Sequence, residues 1–87
     1  MKVWGETSGK VKFLENPIRK RWSELPENLV PFGNPGEVWS RMREKLEGKI
    51  PLGGAFSFAR DRWGNLWFLQ WRHHDEQEAY IVGEVRA

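Results

Sequence analysis

The chain has 87 residues, with 14 Lys and Arg against 12 Asp and Glu, a formal charge of +2, and no cysteine. That length makes one domain with a small core, and the missing thiols exclude a disulfide scaffold and thiolate metal sites while fitting a reducing compartment. The charge is low for a strongly basic nucleic-acid module, so any cationic surface has to be local.

The start, MKVWGETSGK, lacks the apolar run of a signal peptide. No stretch approaches the roughly 20 apolar residues of a membrane span. A cytoplasmic protein with no membrane partner is expected. MKVW reads as a short first strand and GETSG as a turn. KVKFLE alternates, with Val11 and Phe13 on one side, and reads as a strand or an extended lead-in. Pro17 suits the first turn of a helix. Ile18, Trp22 and Leu25 follow at helical spacing, with Arg19, Lys20 and Arg21 pointing elsewhere, so a short helix is predicted from Pro17 until Pro26 stops or kinks it.

LVPFGNPGE reads as a loop. Asn34 then offers an N-cap, Pro35 the first helical position and Glu37 the acid of a capping box. Val38, Trp39, Met42 and Leu46 share a face, and Gly48 supplies the terminating glycine, which predicts a helix over about residues 35–47. KIPLGG is a connector. AFSFAR, NLWFLQW and AYIVGEV read as strands, joined by the turns DRWGN and HHDEQE into an antiparallel meander. NLWFLQW is apolar on both faces, which places it centrally and covered on both sides.

The expected fold is α+β: a single domain, residues 1–87, with two N-terminal helical segments packed on a small antiparallel β-sheet, the three-strand C-terminal meander, which an N-terminal strand can extend. One sheet face takes the helices. The other, carrying Phe56, Phe58, Arg60, Phe68, Gln70, Arg72, Glu78 and Tyr80, is expected to be mixed and partly open. Trp22, Trp39, Trp67 and Trp71 are expected in the core, each aromatic burying roughly 150–250 Å².

WRHHDEQEAY holds both histidines of the chain beside three acids. Metal-free RNA cleavage needs a base for the 2′-hydroxyl, an acid for the leaving oxygen and a cation at the phosphate. Arg72, His73, His74, Glu78 and Tyr80 supply those groups within a short stretch, and histidine titrates near working pH. A solvated turn accounts for the same residues. A metal site on His73, His74 and Asp75 is disfavoured, because adjacent ligands converge only in a tight turn. No metal or cofactor is expected.

Candidate nucleic-acid contacts are Arg19, Lys20, Arg21, Arg60, Arg62, Arg86 and Trp63, the last a hairpin-turn aromatic able to stack on a base or enter a partner groove. Arg60 and Arg72 fall about six residues apart along the sheet, roughly 20 Å at about 3.3 Å per residue, so they serve different phosphates. The plain alternatives are an exposed hairpin turn in which Arg60 and Arg62 bracket Asp61, and a solvated helix face at 19–21.

GGAFSFARDRWGNLWFLQWRHHDEQEAYIVGEVRA, with a basic residue before a turn, an apolar strand carrying aromatics and a closing strand, resembles the RelE/ParE-type toxins of the barnase-like ribonuclease group. The resemblance implies a toxin–antitoxin protein: a metal-independent endoribonuclease acting on RNA, often at the ribosome, and neutralised by an antitoxin. It implies site residues among Arg60, Arg62, Arg72, His73, His74, Glu78, Tyr80 and Arg86. ParE-type relatives act on gyrase instead. The rival reading is a non-enzymatic protein-binding adaptor or inhibitor that uses an exposed aromatic and charged sheet face.

Overall fold

A computed structural model of the chain describes residues 10–32, 35–51, 53–72 and 77–86. Among these residues the elements are strands β1 (Lys10–Lys20), β2 (Val30–Pro31), β3 (Ala55–Arg60), β4 (Asn65–Trp71) and β5 (Gln77–Arg86), with one helix, α1 (Pro35–Leu46), and a 3-10 turn at Trp22–Glu24. The strands form one sheet in the order β1-β5-β4-β3-β2, and every neighbouring pair is antiparallel.

The sequence puts β4 at the centre because it has apolar side chains to bury in both directions. Leu66 and Phe68 point toward α1 and join Val38, Met42, Leu46, Phe58, Tyr80 and Val82 in the larger core cluster. Trp67 and Leu69 point the other way and pack with Ala79 beneath Trp22, Leu25 and Leu29. The chain between β1 and β2 therefore crosses and covers the second face of the sheet. α1 forms where its signals place it, with Pro35 first, Glu37 in the first turn, and Arg43 and Lys45 in the last turn, where they complement the helix dipole. Gly48 follows at φ +82°, a left-handed conformation that stops the helix. The expected cap, Asn34, lies outside the described residues.

Two expectations fail. The fold is mostly a five-stranded antiparallel sheet with a single helix, not two helical segments on a three-strand sheet. Pro17 through Lys20 continues β1, pairing Ile18 with Ile81, Arg19 with Tyr80 and Lys20 with Ala79. The register against β5 slips between Phe13 and Ile18. Pro17 falls within that irregularity at a sheet edge, where a missing N–H costs little. What remains of the helical pattern is the single turn at Trp22–Glu24. Val30–Pro31, read as loop, pairs with β3 and forms the opposite edge. The segment MKVW lies outside the described residues.

The second failure concerns the sheet faces. The side carrying Phe58, Phe68 and Tyr80 is not open but is the one α1 covers. A register shift between Leu66 and Trp67 against β5 leaves Val82 as the extra residue. That bulge turns Val85 onto the helix side with Tyr80 and Val82. Among the described residues no helix is long and apolar enough to cross a membrane.

Candidate active site

β1, β5 and β4 lie side by side, and their register fixes which side chains meet. Gln70 on β4 faces Glu78 on β5, and Tyr80, two residues on and on the same face, stands opposite Arg19 on β1. Arg72 lies just beyond the end of β4. Gln70, Tyr80, Arg19 and Arg72 converge on the Glu78 carboxylate. Glu78 Oε1 is 3.7 Å from an Arg72 guanidinium nitrogen, and Oε2 is 3.9 Å from one of Arg19. The Gln70 amide donates to Oε1 at 3.2 Å, and the Tyr80 hydroxyl donates to Oε2 at 3.3 Å.

Exposure grades outward through this group. The Glu78 side chain is 10% exposed, that of Arg72 29% and that of Arg19 71%. The anion thus sits at the base of the cluster and the cations over it. Burial, reinforced by the neighbouring Glu78 carboxylate, pushes the Tyr80 phenol above its usual range despite Arg19 and Arg72. Tyr80 therefore stays protonated and able to donate at neutral pH.

Gln70 also ties the preceding connector to the sheet. Its amide donates to the Pro51 carbonyl at 2.7 Å, and its own oxygen accepts from the Gly53 N–H at 3.2 Å. Gly54 makes that approach possible. It sits at φ +83°, and a Cβ there would lie 2.2 Å from the Trp71 carbonyl oxygen.

A different carboxylate organises the other end of the meander. Asp61 is buried, at 2% exposed. Its Oδ1 accepts from the backbone N–H groups of Trp63 and Asn65, both at 2.9 Å. Its Oδ2 accepts from the Asn65 amide at 2.9 Å and the Trp67 indole at 3.0 Å. Burial pushes this carboxyl up, but the hydrogen bonds from Trp67, Asn65 and Trp63 together outweigh it and hold the group below the usual carboxylate range. Within the turn bracketed by Arg60 and Arg62, Asp61 is thus the buried foundation. Trp63 stands out at its tip, 69% exposed, with the Arg62 guanidinium 5.3 Å from its ring centroid.

Of the site residues read from sequence, Arg72, Glu78 and Tyr80 come together, and Arg19 of the basic triplet joins them. Arg60 pairs with Leu66 at the opposite end of β4 from Trp71, so Arg60, Arg62 and Trp63 form a separate group. Arg86 pairs with Lys10, at the far end of β5 from Glu78. His73 and His74 lie outside the described residues, as does Asp75. Lys20 reaches Glu24 at 3.8 Å rather than Glu78. Sequence reasoning does not single out Gln70 or Asp61. Gln70 carries a signal, as the polar residue before the last tryptophan of a strand otherwise apolar on both faces. Of the four expected core tryptophans, Trp67 is buried, Trp22 and Trp39 are partly buried, and Trp71 is 38% exposed.

No protein family, no curated protein and no solved structure matches the chain.

Proposed function

We propose that the chain is a metal-independent ribonuclease that cleaves single-stranded RNA at the Glu78 cluster. The observation that carries this reading is the convergence of Arg19, from β1, and Arg72, from just beyond β4, on a buried carboxylate that also accepts from Tyr80. A phosphodiester approaching from solvent meets the more exposed arginines first. It takes over their interaction, because a phosphate offers the guanidinium groups better hydrogen-bond geometry than a carboxylate 3.7–3.9 Å away. Glu78 is then positioned to accept the proton of the 2′-hydroxyl as that oxygen attacks phosphorus. Arg19 and Arg72 balance the charge that builds on the phosphorane, and the Tyr80 hydroxyl donates to an oxygen of the reacting centre. The bond to the 5′-oxygen breaks, and that oxygen needs a proton. The sequence offers His73 or His74 for this step.

The test is cleavage of a labelled single-stranded RNA in excess chelator. Glu78→Gln should lower the rate by roughly 10²–10⁴-fold, the usual worth of general acid–base catalysis, with the melting temperature nearly unchanged. Wild-type protein that leaves RNA intact, ribosomes included, removes the enzyme reading. A double His73→Ala, His74→Ala variant with full activity moves the proton donor elsewhere. The toxin reading adds an antitoxin partner, and induced expression with growth and RNA integrity as readouts tests it. One observation favours a second, non-enzymatic reading: Trp63, exposed and backed by Arg62, suits a protein-binding hot spot.

A further inference from the structure

The basic triplet lies beside the candidate site, not on a helix face. In a strand, successive side chains point to opposite sides of the sheet, so Arg19, Lys20 and Arg21 should be scattered. They are not. β1 ends at Lys20, Arg21 is extended at φ −77° and ψ 147°, and the 3-10 turn begins at Trp22. The change of direction gathers Arg19, Lys20, Arg21, Trp22, Glu24 and Gln77 around one recess of about 490 Å³. That volume is within the roughly 300–1,000 Å³ range of small-molecule sites.

The lining pairs the two features that recognise a nucleotide. Of the cations Arg19, Lys20 and Arg21, Lys20 is engaged by the Glu24 carboxylate at 3.8 Å and Arg19 by the Glu78 carboxylate at 3.9 Å, so three cations meet two acids. The recess therefore keeps a positive balance. Trp22 supplies an aromatic wall, held by Trp71 at 5.5 Å between ring centroids and 68° between planes. A wall held by a second indole is a fixed stacking surface rather than a loose side chain. The recess also shares a residue with the carboxylate cluster, because Arg19 lines it and lies 3.9 Å from Glu78.

We propose that this recess is a nucleotide subsite, taking one base–phosphate unit of a single-stranded RNA next to the phosphate held at Glu78. The assignment rests on the ribonuclease reading and extends it to the neighbouring nucleotide. Arg19 bridges the two positions, Arg21 and Lys20 hold the flanking phosphate, and the base lies against Trp22.

A hexanucleotide with 2′-O-methyl groups separates binding from cleavage, because it lacks the hydroxyl that attacks. Its affinity is measured by fluorescence anisotropy at several salt concentrations. Lys20→Ala with Arg21→Ala should weaken binding about tenfold or more at low salt and reduce the log–log salt slope by about 0.7 for each phosphate no longer neutralised. Trp22→Ala should weaken it about tenfold, and Trp22→Phe, which keeps an aromatic ring in the packing, by less. Melting curves identify any variant that has lost its fold, and Lys20 and Arg21 contribute nothing to the apolar core clusters. Binding unchanged in the Lys20, Arg21 double variant overturns the subsite even if RNA cleavage by the wild type proceeds. Weakened binding in a protein that cleaves nothing keeps the subsite and removes the ribonuclease. Equal binding of hexaglutamate, or 5′-AMP bound as tightly as the hexamer, overturns the assignment to an RNA chain.

Discussion

The two ends of the meander each bury a carboxylate, and they use it in opposite ways. Asp61 is met by neutral donors at 2.9–3.0 Å, all from residues within six positions of it in the chain. Glu78 is met by an amide, a phenol and two guanidinium groups at 3.2–3.9 Å, drawn from β1, β4 and β5 and from just beyond β4. Short bonds from local, uncharged donors build a turn and leave nothing for a ligand. Longer contacts to partly exposed cations leave each partner free to change its interaction, which a substrate requires. Burial of an acid by itself thus says little about function, whereas the charge, distance and exposure of its partners separate the two cases.

The contrast breaks first if Asp61 proves dispensable. Asp61→Ala strands the buried Trp67 indole donor and the backbone donors of Trp63 and Asn65. At about 1–3 kcal/mol for each unsatisfied group, a loss of about 3 kcal/mol or more is expected. In a domain of this size that lowers the melting temperature by roughly 10–20 °C in a thermal scan. An unchanged Tm would mean the turn holds itself together.

A smaller effect comes from acid. Because the Asp61 carboxyl sits below its usual range when folded, the unfolded chain binds its proton more tightly. Its contribution is fully present above the unfolded value near 3.8 and is lost as pH falls through the lower folded value. Wild-type stability should therefore decline below about pH 4 more steeply than that of Asp61→Asn, which has no such proton to take up. Parallel denaturant titrations between neutral pH and strong acid check this, and identical slopes would contradict it.

The smallest effect sharpens the contrast. Glu78→Gln should change stability by less than about 1 kcal/mol, since its ion pairs reach partly exposed arginines and such pairs contribute about 0–1 kcal/mol. The same change that silences the proposed chemistry should barely move the Tm. A loss as large as that of Asp61→Ala would make Glu78 a structural acid as well.

Legibility in the sequence follows the locality of the determinants. α1 carries its own start, face and stop, and the meander strands carry their own turns, so residue patterns locate them. β1 is misread because Pro17 has a helical meaning only if no strand is available to pair with Ile18, Arg19 and Lys20, and that strand is the last described element of the chain. The spacing of Ile18, Trp22 and Leu25 arises instead from a chain that finishes an edge strand and crosses the back of the sheet, where Trp22 and Leu25 pack against the second core cluster. Within the candidate site, Arg72, Glu78 and Tyr80 are legible because they are close in sequence and chemically distinct. Arg19 is assigned the wrong neighbours, since its approach to Glu78 depends on the β1–β5 register. Asp61 escapes notice because its flanking arginines suggest solvent, while its value to the turn lies in hydrogen bonds that charge counting does not see.

The pairing of β1 with β5 also has a temporal consequence. The first described strand of the chain finds its place beside the last, so neither edge-to-edge order nor the Arg19–Glu78 contact can form before β5 exists. Contacts of such long sequence separation come late in folding and slow it. A nascent polypeptide thus carries Arg19 through the synthesis of α1, β3 and β4 without the acid it will face. Any activity that depends on both is withheld until that strand has been made and has docked.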